Sequence, residues 1–237
     1  MITSKDNEKL KLVRRLAQRQ QREREGLFAS EGEDLVAAGR AVGREPLFTL
    51  VAAGSGLEGE EVEPALLAGV SGLGSGTRAI AVWKRVWDEG ITAPAIYLHA
   101  LADPANVGTV IRSVDALVGG TVVIGPGCAD PFSPKAVRAS MGSVFGVALV
   151  RGGVGEAPTP RVGLVAHGGE EPWAGPAPAT LCIGAEREGL PEEVLRECES
   201  HWTIPLRPGG AESLNVAAAA AIALRGISSA AAEGRVG

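Results

Sequence analysis

The sequence predicts an α/β protein, in which a small α/β domain precedes a larger domain built on a parallel sheet flanked by helices. Two observations predict this fold class. In residues 95–237, short apolar or β-branched runs bounded by Gly or Pro alternate with segments of helix length, a pattern typical of buried parallel strands. Before them, residues 87–94 combine turn residues with charges, as domain linkers do. We therefore predict domains at residues 1–88 and 95–237, joined by a linker at residues 89–94.

Length and composition favour a folded protein inside the cell. The chain has 237 residues, 45% of them hydrophobic, which is enough to bury one larger or two modest cores. Its charged N-terminus lacks the apolar segment of a secretory signal. Its longest apolar run, residues 214–224 broken only by Asn215, is far shorter than the roughly 20 residues that span a bilayer. The three widely spaced cysteines, Cys128, Cys182 and Cys198, fit a reducing compartment. We expect a cytoplasmic protein outside the membrane.

The N-terminal segment is predicted to form a basic amphipathic helix over residues 5–22, with Ser4 as its candidate N-cap. Leu10, Val13 and Leu16 recur at helical spacing. Residues 1–24 hold eight Lys or Arg against three Asp or Glu, a net charge of +5, so the remainder of this chain of net charge −5 carries −10. A basic helix attached to an otherwise acidic protein is suited to binding phosphate groups. An ordinary solvated surface helix explains the charges equally well.

The remaining elements of the predicted first domain are shorter. Residues 26–31 read as a strand, residues 33–41 as a helix, and two further apolar runs read as strands, at residues 47–52 and 78–83. The Gly-rich polar tract at residues 54–76 is left unassigned.

The second domain supplies the alternating pattern. Its strands are predicted at residues 95–99, 121–124, 144–150, 162–166 and 180–184, and its helices at residues 106–117, 134–141, 191–199 and 214–224. Ligands of open parallel sheets bind outside the carboxyl ends of the strands. Segments that directly follow these strands are therefore the candidate functional segments.

Three such segments stand out. The first runs from Asp103 through Asn106 and Gly108 to Arg112, with Asn106 as candidate helix cap. The second is Gly184-Ala185-Glu186-Arg187-Glu188-Gly189-Leu190-Pro191, and the third joins Ile204-Pro205-Leu206 to Ser213-Leu214-Asn215-Val216. Taken singly, each has an ordinary structural explanation: an exposed arginine on a helix, solvated acids in a loop, and a helix N-cap at Ser213 or Asn215.

Together, the order and spacing of these segments resemble the three-motif signature of the SpoU (TrmH-type) family in the SPOUT superfamily, over residues 95–226. Residues 3–84 are similar, more loosely, to the small ribosomal-protein-like RNA-binding domain that many members carry. The resemblance implies an enzyme that transfers a methyl group from S-adenosylmethionine to a ribose 2′-hydroxyl of RNA. It also implies a C-terminal deep trefoil knot, a rare exception to the rule that chains do not thread loops, and a homodimer.

The resemblance assigns roles to residues at the matching positions. The catalytic and RNA-facing set comprises Asn106, Arg112, Glu186, Ser213 and Asn215. The residues that the resemblance assigns to cofactor binding, largely through their backbone groups, are Gly184, Ile204, Leu206 and Leu214. From the basic N-terminal helix we add the RNA-binding candidates Lys11, Arg14, Arg15 and Arg22. The chain departs from the usual pattern at Arg187, where many members have Gly, and at Leu206, where Met is commoner.

Two other classes of function compete with this interpretation. A nicotinamide enzyme is suggested by Gly125-Pro126-Gly127 after a strand, but the turn lacks the third glycine and a following helix. The second alternative, a non-catalytic RNA-binding protein that keeps the knot, is not excluded by the sequence. Ribosomal RNA is the favoured substrate, with transfer RNA as the alternative. A role in antibiotic resistance is also left open. No metal is expected, because Cys198 and His201 form a lone pair without a second pair at zinc spacing. His167 either lines the cofactor pocket or is a plain loop histidine.

Overall fold

The computed structural model describes residues 1–72, 76–172 and 178–233, so residues 73–75 of the unassigned tract lie outside the described residues. The chain packs as two units. The first contains Met1–Val86 and Asp130–Gly146, and the second contains Trp87–Ala129 and Val147–Gly237. Residues 130–146, which the sequence prediction assigned to the second domain, therefore belong to the first unit.

The helices and strands follow in chain order. Those before residue 90 are α1 (Glu8–Leu16), α2 (Arg19–Glu25), β1 (Leu27–Glu31), α3 (Glu33–Ala41), β2 (Phe48–Ala52), β3 (Glu60–Val62), α4 (Pro64–Ala68) and β4 (Ala79–Lys84). Those after it are β5 (Ala95–Leu98), α5 (Pro104–Leu117), β6 (Thr121–Ile124), α6 (Pro134–Ser140), β7 (Ala148–Arg151), β8 (Arg161–Leu164), β9 (Thr180–Ile183), α7 (Glu192–Leu195), β10 (Ser200–Trp202) and α8 (Val216–Glu233). Helix α3 has the predicted bounds, whereas β3, α4 and β10 were not predicted.

The first unit is built on a four-stranded sheet in the order β1-β4-β2-β3. Strand β4 pairs antiparallel with both β1 and β2, while β2 and β3 are parallel. Leu10 and Leu16 of α1 pack with Leu50 and Ile80 of the sheet in one buried cluster. The apolar stripe that predicted the N-terminal helix is therefore its core-facing side.

The predicted single N-terminal helix is wrong, because the structure divides it into α1 and α2. Gln18 lies between them in extended backbone, with φ −93° and ψ 133°. The N-cap of α1 is Asn7, whose side chain accepts from the backbone of Lys9 at 2.9 Å, and not Ser4. The guanidinium of Arg22 donates to the carbonyls of Leu16 and Ala17, both at 2.8 Å. It thereby satisfies acceptors that the end of a helix leaves without partners.

Residues 130–146 join the first unit through a buried ion pair and an aromatic cluster. Asp130 accepts from Arg22 at 2.8 Å, and both side chains are nearly inaccessible to solvent. Phe145 packs on Trp83, with ring centroids 4.7 Å apart. The predicted strand over residues 144–150 is wrong at its start for the same reason: Ser143–Phe145 form a 3-10 helix that holds Phe145 in this cluster, and β7 begins only at Ala148.

We expect Asp130→Asn to lower the free energy of unfolding of the protein by about 3 kcal/mol or more, because it leaves buried guanidinium groups without their counter-charge. Arg85, also buried, lies 3.5 Å from the same carboxylate. Urea unfolding measures the effect. The matched control is Glu8→Gln, which breaks the exposed pair with Lys11 and should cost less than about 1 kcal/mol. Equal stability of the two variants would contradict the role of Asp130.

The second unit contains a six-stranded sheet in the order β10-β8-β9-β5-β6-β7, in which all neighbours are parallel. The predicted parallel sheet flanked by helices is confirmed. Central strands β5 and β9 are buried along their whole length, and α5 packs against α8. Helix α7 is shorter than predicted, and α8 begins at Val216 and continues to Glu233. In the part of the chain that the structure describes, no helix is long and apolar enough to cross a membrane.

Tyr97 on β5 offers a spectroscopic test of this core, because it is the only tyrosine in the chain. Burial raises the pKa of Tyr97 to about 12, from an ordinary value near 10. The fold therefore favours the neutral phenol: this contribution to stability is complete below about pH 10 and is lost as the pH rises through about 12. Ultraviolet titration should show tyrosinate forming near pH 12 in the folded protein, and none in Tyr97→Phe. A midpoint near 10 with the fold intact would contradict the burial.

Candidate functional site

The three candidate segments meet at the carboxyl ends of neighbouring strands in the second unit. Strands β10, β8, β9 and β5 are consecutive neighbours in the sheet. Gly184 directly follows β9, Ile204 lies two residues after β10, and Asp103 lies five residues after β5. Because parallel strands end at one edge of the sheet, loops far apart in sequence assemble there into one site.

Three predicted site residues form a hydrogen-bonded cluster, which we call the amide cluster: Asn106, Glu186 and Asn215. The side chain of Asn106 donates to Glu186 Oε1 at 2.8 Å, and its Oδ1 accepts from the Asn215 amide at 3.2 Å. Asn215 also caps α8, since its Oδ1 accepts from the backbone of Ala217 at 3.0 Å. Residues from all three segments are thereby fixed relative to one another.

The prediction that Asn106 caps α5 is wrong. The N-cap is Asp103, whose side chain accepts from the backbone of Ala105 at 2.9 Å, followed by Pro104 at the first helical position. Proline suits this position because the first turn needs no N–H donor. Asn106 stands within the first turn, and its side chain is therefore available to reach Glu186.

The loop after β9 is closed by backbone contacts. The backbones of Ala185 and Gly189 exchange two hydrogen bonds, at 3.0 and 3.1 Å, and Gly189 adopts φ +69°. A Cβ added to Gly184 would lie 2.2 Å from the carbonyl carbon of Gly189 and 2.4 Å from the nitrogen of Leu190. Contacts this short do not occur between real atoms, so only glycine allows the loop to fold back here.

This loop forms one wall of a cavity of about 230 Å³, which we call the motif cavity. Its lining includes all four predicted cofactor-binding residues and two of the predicted catalytic ones: Gly184, Ile204, Leu206, Leu214, Glu186 and Ser213. Apolar side chains such as Leu164 and Ile183 contribute to its walls. Arg187, which stands where many SpoU-type sequences have Gly, also lines it. The motif cavity therefore combines an apolar interior with Glu186, a member of the amide cluster.

The other predicted residues lie elsewhere. Arg112 is exposed on α5, and within the described ranges it forms no hydrogen bond or ion pair. In the first unit, Arg14 and Arg15 are exposed on α1, and Lys11 pairs with Glu8 at 3.0 Å.

The assignment of Arg22 to RNA is wrong. Its side chain is 3% exposed and already bonded to Asp130 and to two backbone carbonyls. A guanidinium held in this way has no accessible surface to offer a phosphate. Its role is to join residues 130–146 to the N-terminal helices.

Sequence reasoning missed Val165, Ala166 and Glu212, which also line the motif cavity. Their positions after β8 and before Ser213 were the available signal. His167 lines an adjoining cavity of about 330 Å³, together with Thr203, Arg207 and Glu212. Among residues 1–72, 76–172 and 178–233, no group of three or more His, Cys, Asp or Glu is placed to hold a metal ion.

Known proteins share both the sequence pattern and the fold. The profile of the SpoU rRNA Methylase family matches residues 93–157 and 163–225. The chain is 36% identical over 136 residues to a 23S rRNA (guanosine(2553)-2′-O)-methyltransferase, RlmP, of Bacillus subtilis (strain 168), a match that covers 54% of each chain. The chain thus spans about half the length of the curated relatives it matches.

Solved structures match over almost the whole chain. The AdoMet-bound rRNA methyltransferase from Sinorhizobium meliloti superposes with a TM-score of 0.84 at 25% identity, covering 95% of this chain and 96% of that one. An RNA 2′-O ribose methyltransferase superposes with a TM-score of 0.80 at 26% identity, over 98% and 99%. The family profile covers more than half of the chain and includes all three segments of the site. This chain belongs to the SpoU rRNA methylase family.

Proposed function

We propose that the protein is an S-adenosylmethionine-dependent methyltransferase that modifies a ribose 2′-hydroxyl in ribosomal RNA. The observation that carries the proposal is the amide cluster, in which Glu186 both bonds to Asn106 and lines the motif cavity. A polar, hydrogen-bonded group beside an apolar cavity at a sheet edge is the arrangement expected where a bound cofactor meets a polar substrate.

The residues of the motif cavity suit S-adenosylmethionine. Leu164, Ile183 and Leu206 provide apolar surface for a flat base, and the exposed backbone of the loop after Gly184 provides hydrogen-bonding groups. When bound, the cofactor supplies an activated methyl group on its sulfonium. The protein's remaining task is to hold the ribose hydroxyl in line with that methyl group and to help its proton leave.

Arg112 is proposed to orient the target hydroxyl and the adjacent phosphate. An arginine keeps its proton in proteins, so it is poorly suited to act as the base and well suited to hold a phosphate by paired hydrogen bonds. Asn106, Glu186 and Ser213 complete the hydrogen-bond network around the hydroxyl. This division assigns positioning and charge stabilisation to the protein.

The wider organisation is proposed on the same basis. The first unit, with Lys11, Arg14 and Arg15 near its surface, would bind RNA in the manner of a ribosomal-protein-like domain. The C-terminal segment would thread a loop to form a trefoil knot, and two copies would form a homodimer that works in the cytoplasm. Ribosomal RNA is favoured over transfer RNA because the Bacillus subtilis and Streptomyces viridochromogenes relatives are 23S rRNA 2′-O-methyltransferases by name.

The test is to incubate the full chain with S-adenosylmethionine labelled in its methyl group and with separate pools of unmodified ribosomal and transfer RNA. Digestion of the labelled pool then identifies the nucleoside. Label in a 2′-O-methylated nucleoside of ribosomal RNA is the expected result. Label confined to transfer RNA would show that transfer RNA, and not ribosomal RNA, is the substrate. Cofactor binding without methyl transfer to either pool would favour a non-catalytic RNA-binding protein.

A further inference from the structure

Two cysteines of the second unit lie together on the side of the sheet that α7 covers. Cys182, the third residue of β9, is fully buried, and Cys198, three residues after α7, is half-buried. Cys182 belongs to a buried apolar cluster with Tyr97 and Val194, and Cys198 packs against that cluster. The fold thus brings two thiols to one face of the sheet, although 16 positions separate them in the sequence.

Gly163 allows α7 to pack close to Cys182. It is the neighbour of Cys182 on β8 in the parallel register, so both residues point to the same face of the sheet. A Cβ added to Gly163 would lie 3.2 Å from Leu195 Cδ2 and 3.3 Å from Leu190 Cδ1. Because no side chain stands here, α7 and the end of the loop after β9 rest directly on the sheet beside Cys182.

The residues on both sides of Cys198 are anchored by one buried arginine. The guanidinium of Arg161 donates to the carboxylate of Glu197 at 3.0 Å, and the backbone N–H of Arg161 donates to the carboxylate of Glu199. The side chain of Arg161 also donates to the backbone carbonyl of Glu197 at 3.3 Å. These contacts tie the segment that carries Cys198 to the start of β8 and hold its thiol at the cluster.

A hydrogen bond makes the two thiols chemically unequal. The Cys182 thiol donates to the Cys198 sulfur, which raises the pKa of Cys182 and lowers that of Cys198. Burial raises the pKa of Cys182 further. The thiolate is the reactive form of cysteine, so Cys198, the more exposed of the two, is the one that an oxidant attacks first. Cys182 is then the neighbouring thiol that can complete a disulfide.

We propose that Cys182 and Cys198 form a redox-sensitive pair, whose oxidation to a disulfide weakens the binding of S-adenosylmethionine at the motif cavity. The inference rests on the proposed function, since it assigns a regulation to that cofactor site. The oxidant is a peroxide, and a thiol reductant reverses the change.

The oxidation proceeds in two balanced steps. The Cys198 thiolate attacks the O–O bond of hydrogen peroxide and becomes a sulfenic acid, and the hydroxide that leaves takes up the proton released by the thiol to form water. The Cys182 sulfur then displaces the hydroxyl group of the sulfenic acid, which leaves with the Cys182 thiol proton as a second water. The two thiols lose two electrons and two protons in forming the S–S bond, and hydrogen peroxide is reduced to two waters.

The disulfide acts on the cofactor site because its two cysteines enclose the loop after β9. Gly184 lies two positions after Cys182, and the whole loop falls between Cys182 and Cys198. An S–S bond is only about 2.05 Å long, so β9 and the segment after α7 must approach each other. Gly184 and Gly189 are already so close that a Cβ on Gly184 would lie 2.2 Å from Gly189. The loop therefore has little space to absorb the movement without changing the wall of the motif cavity.

The experiment counts thiols and measures cofactor affinity on the same samples. The full chain is treated with hydrogen peroxide, its free thiols are titrated after unfolding, and its disulfide is located by mass spectrometry of a digest. Calorimetry with S-adenosylmethionine gives the affinity before and after treatment. Cys198→Ser removes the pair. The matched control is Cys128→Ala, which removes the remaining cysteine, whose buried thiol donates to the carbonyl of Leu98 at 3.3 Å.

The unmodified chain should fall from three free thiols to one, with Cys182 linked to Cys198. Its affinity should fall about tenfold and recover with dithiothreitol. A displacement of about 1 Å in an active site can cost about 100-fold in rate, and we expect a smaller effect because the strand and the segment after α7 share the movement. Cys128→Ala should lose both of its thiols and the same affinity, whereas Cys198→Ser should keep its thiols and its affinity.

Three thiols remaining after treatment, a different linkage, or Cys198 oxidised without a disulfide would overturn the pair. A disulfide between Cys182 and Cys198 that leaves the affinity unchanged would overturn its effect on the site. If the reduced chain binds no S-adenosylmethionine, the proposed function itself is contradicted, and the thiol count still decides whether the pair exists.

Discussion

Gly184→Ala should reduce the affinity for S-adenosylmethionine by about 100-fold or more, although it adds a single methyl group. The added Cβ would lie 2.2 Å from the carbonyl carbon of Gly189 and 2.3 Å from its oxygen. These are backbone atoms of the loop that forms a wall of the motif cavity, so the loop has to move. A displacement of about 1 Å in an active site can cost about two orders of magnitude in rate, and we expect a loss of similar size in cofactor affinity because this loop forms a wall of the motif cavity.

Gly155→Ala is the matched control, because nothing lies within 4 Å of a Cβ added there. Both variants are measured by calorimetry with the cofactor and by circular dichroism for the fold. The control should bind within about twofold of the unmodified protein, since an added methyl group in open space leaves the site unchanged. A folded Gly184→Ala variant with near-normal affinity would show that this loop does not shape the cofactor site.

The site could be predicted more completely than the elements around it. Motif spacing alone brought together Asn106, Glu186 and Asn215, because residues that follow parallel strands meet at one edge regardless of their separation in sequence. The role of Asn106 was still misassigned as a helix cap. Asp103 and Asn106, three positions apart, can each cap a helix, and local sequence does not say which one does.

Long-range packing accounts for what the sequence did not predict. Arg22 belongs to the same basic segment as Arg19 and Arg24, and only the folded chain shows that it pairs with Asp130, 108 positions away. The predicted start of a strand at residue 144 was wrong for the same kind of reason. An apolar run such as Val144–Val150 satisfies the pattern of a buried strand, but Phe145 is buried by an aromatic cluster instead.

Arg112→Ala should lower the rate of methyl transfer by at least about 1,000-fold and leave cofactor affinity within a few-fold. The expected size is that of removing a charged group that acts on the transition state. Cofactor affinity should persist because Arg112 does not line the motif cavity. Single-turnover transfer and calorimetry measure the two quantities. Near-normal turnover in this variant would exclude the proposed role of Arg112.

The position of Arg112 leads to a second consequence of the same substitution. It is exposed on α5 and, among the described residues, forms no hydrogen bond with the amide cluster. If it serves the cofactor of the partner copy in a homodimer, subunits carrying Arg112→Ala and Gly184→Ala should complement each other. Co-expression at equal levels should restore about a quarter of normal activity, because about half of the dimers are mixed and each of these has one complete site. Purified mixed dimers without activity would place Arg112 at the site of its own subunit.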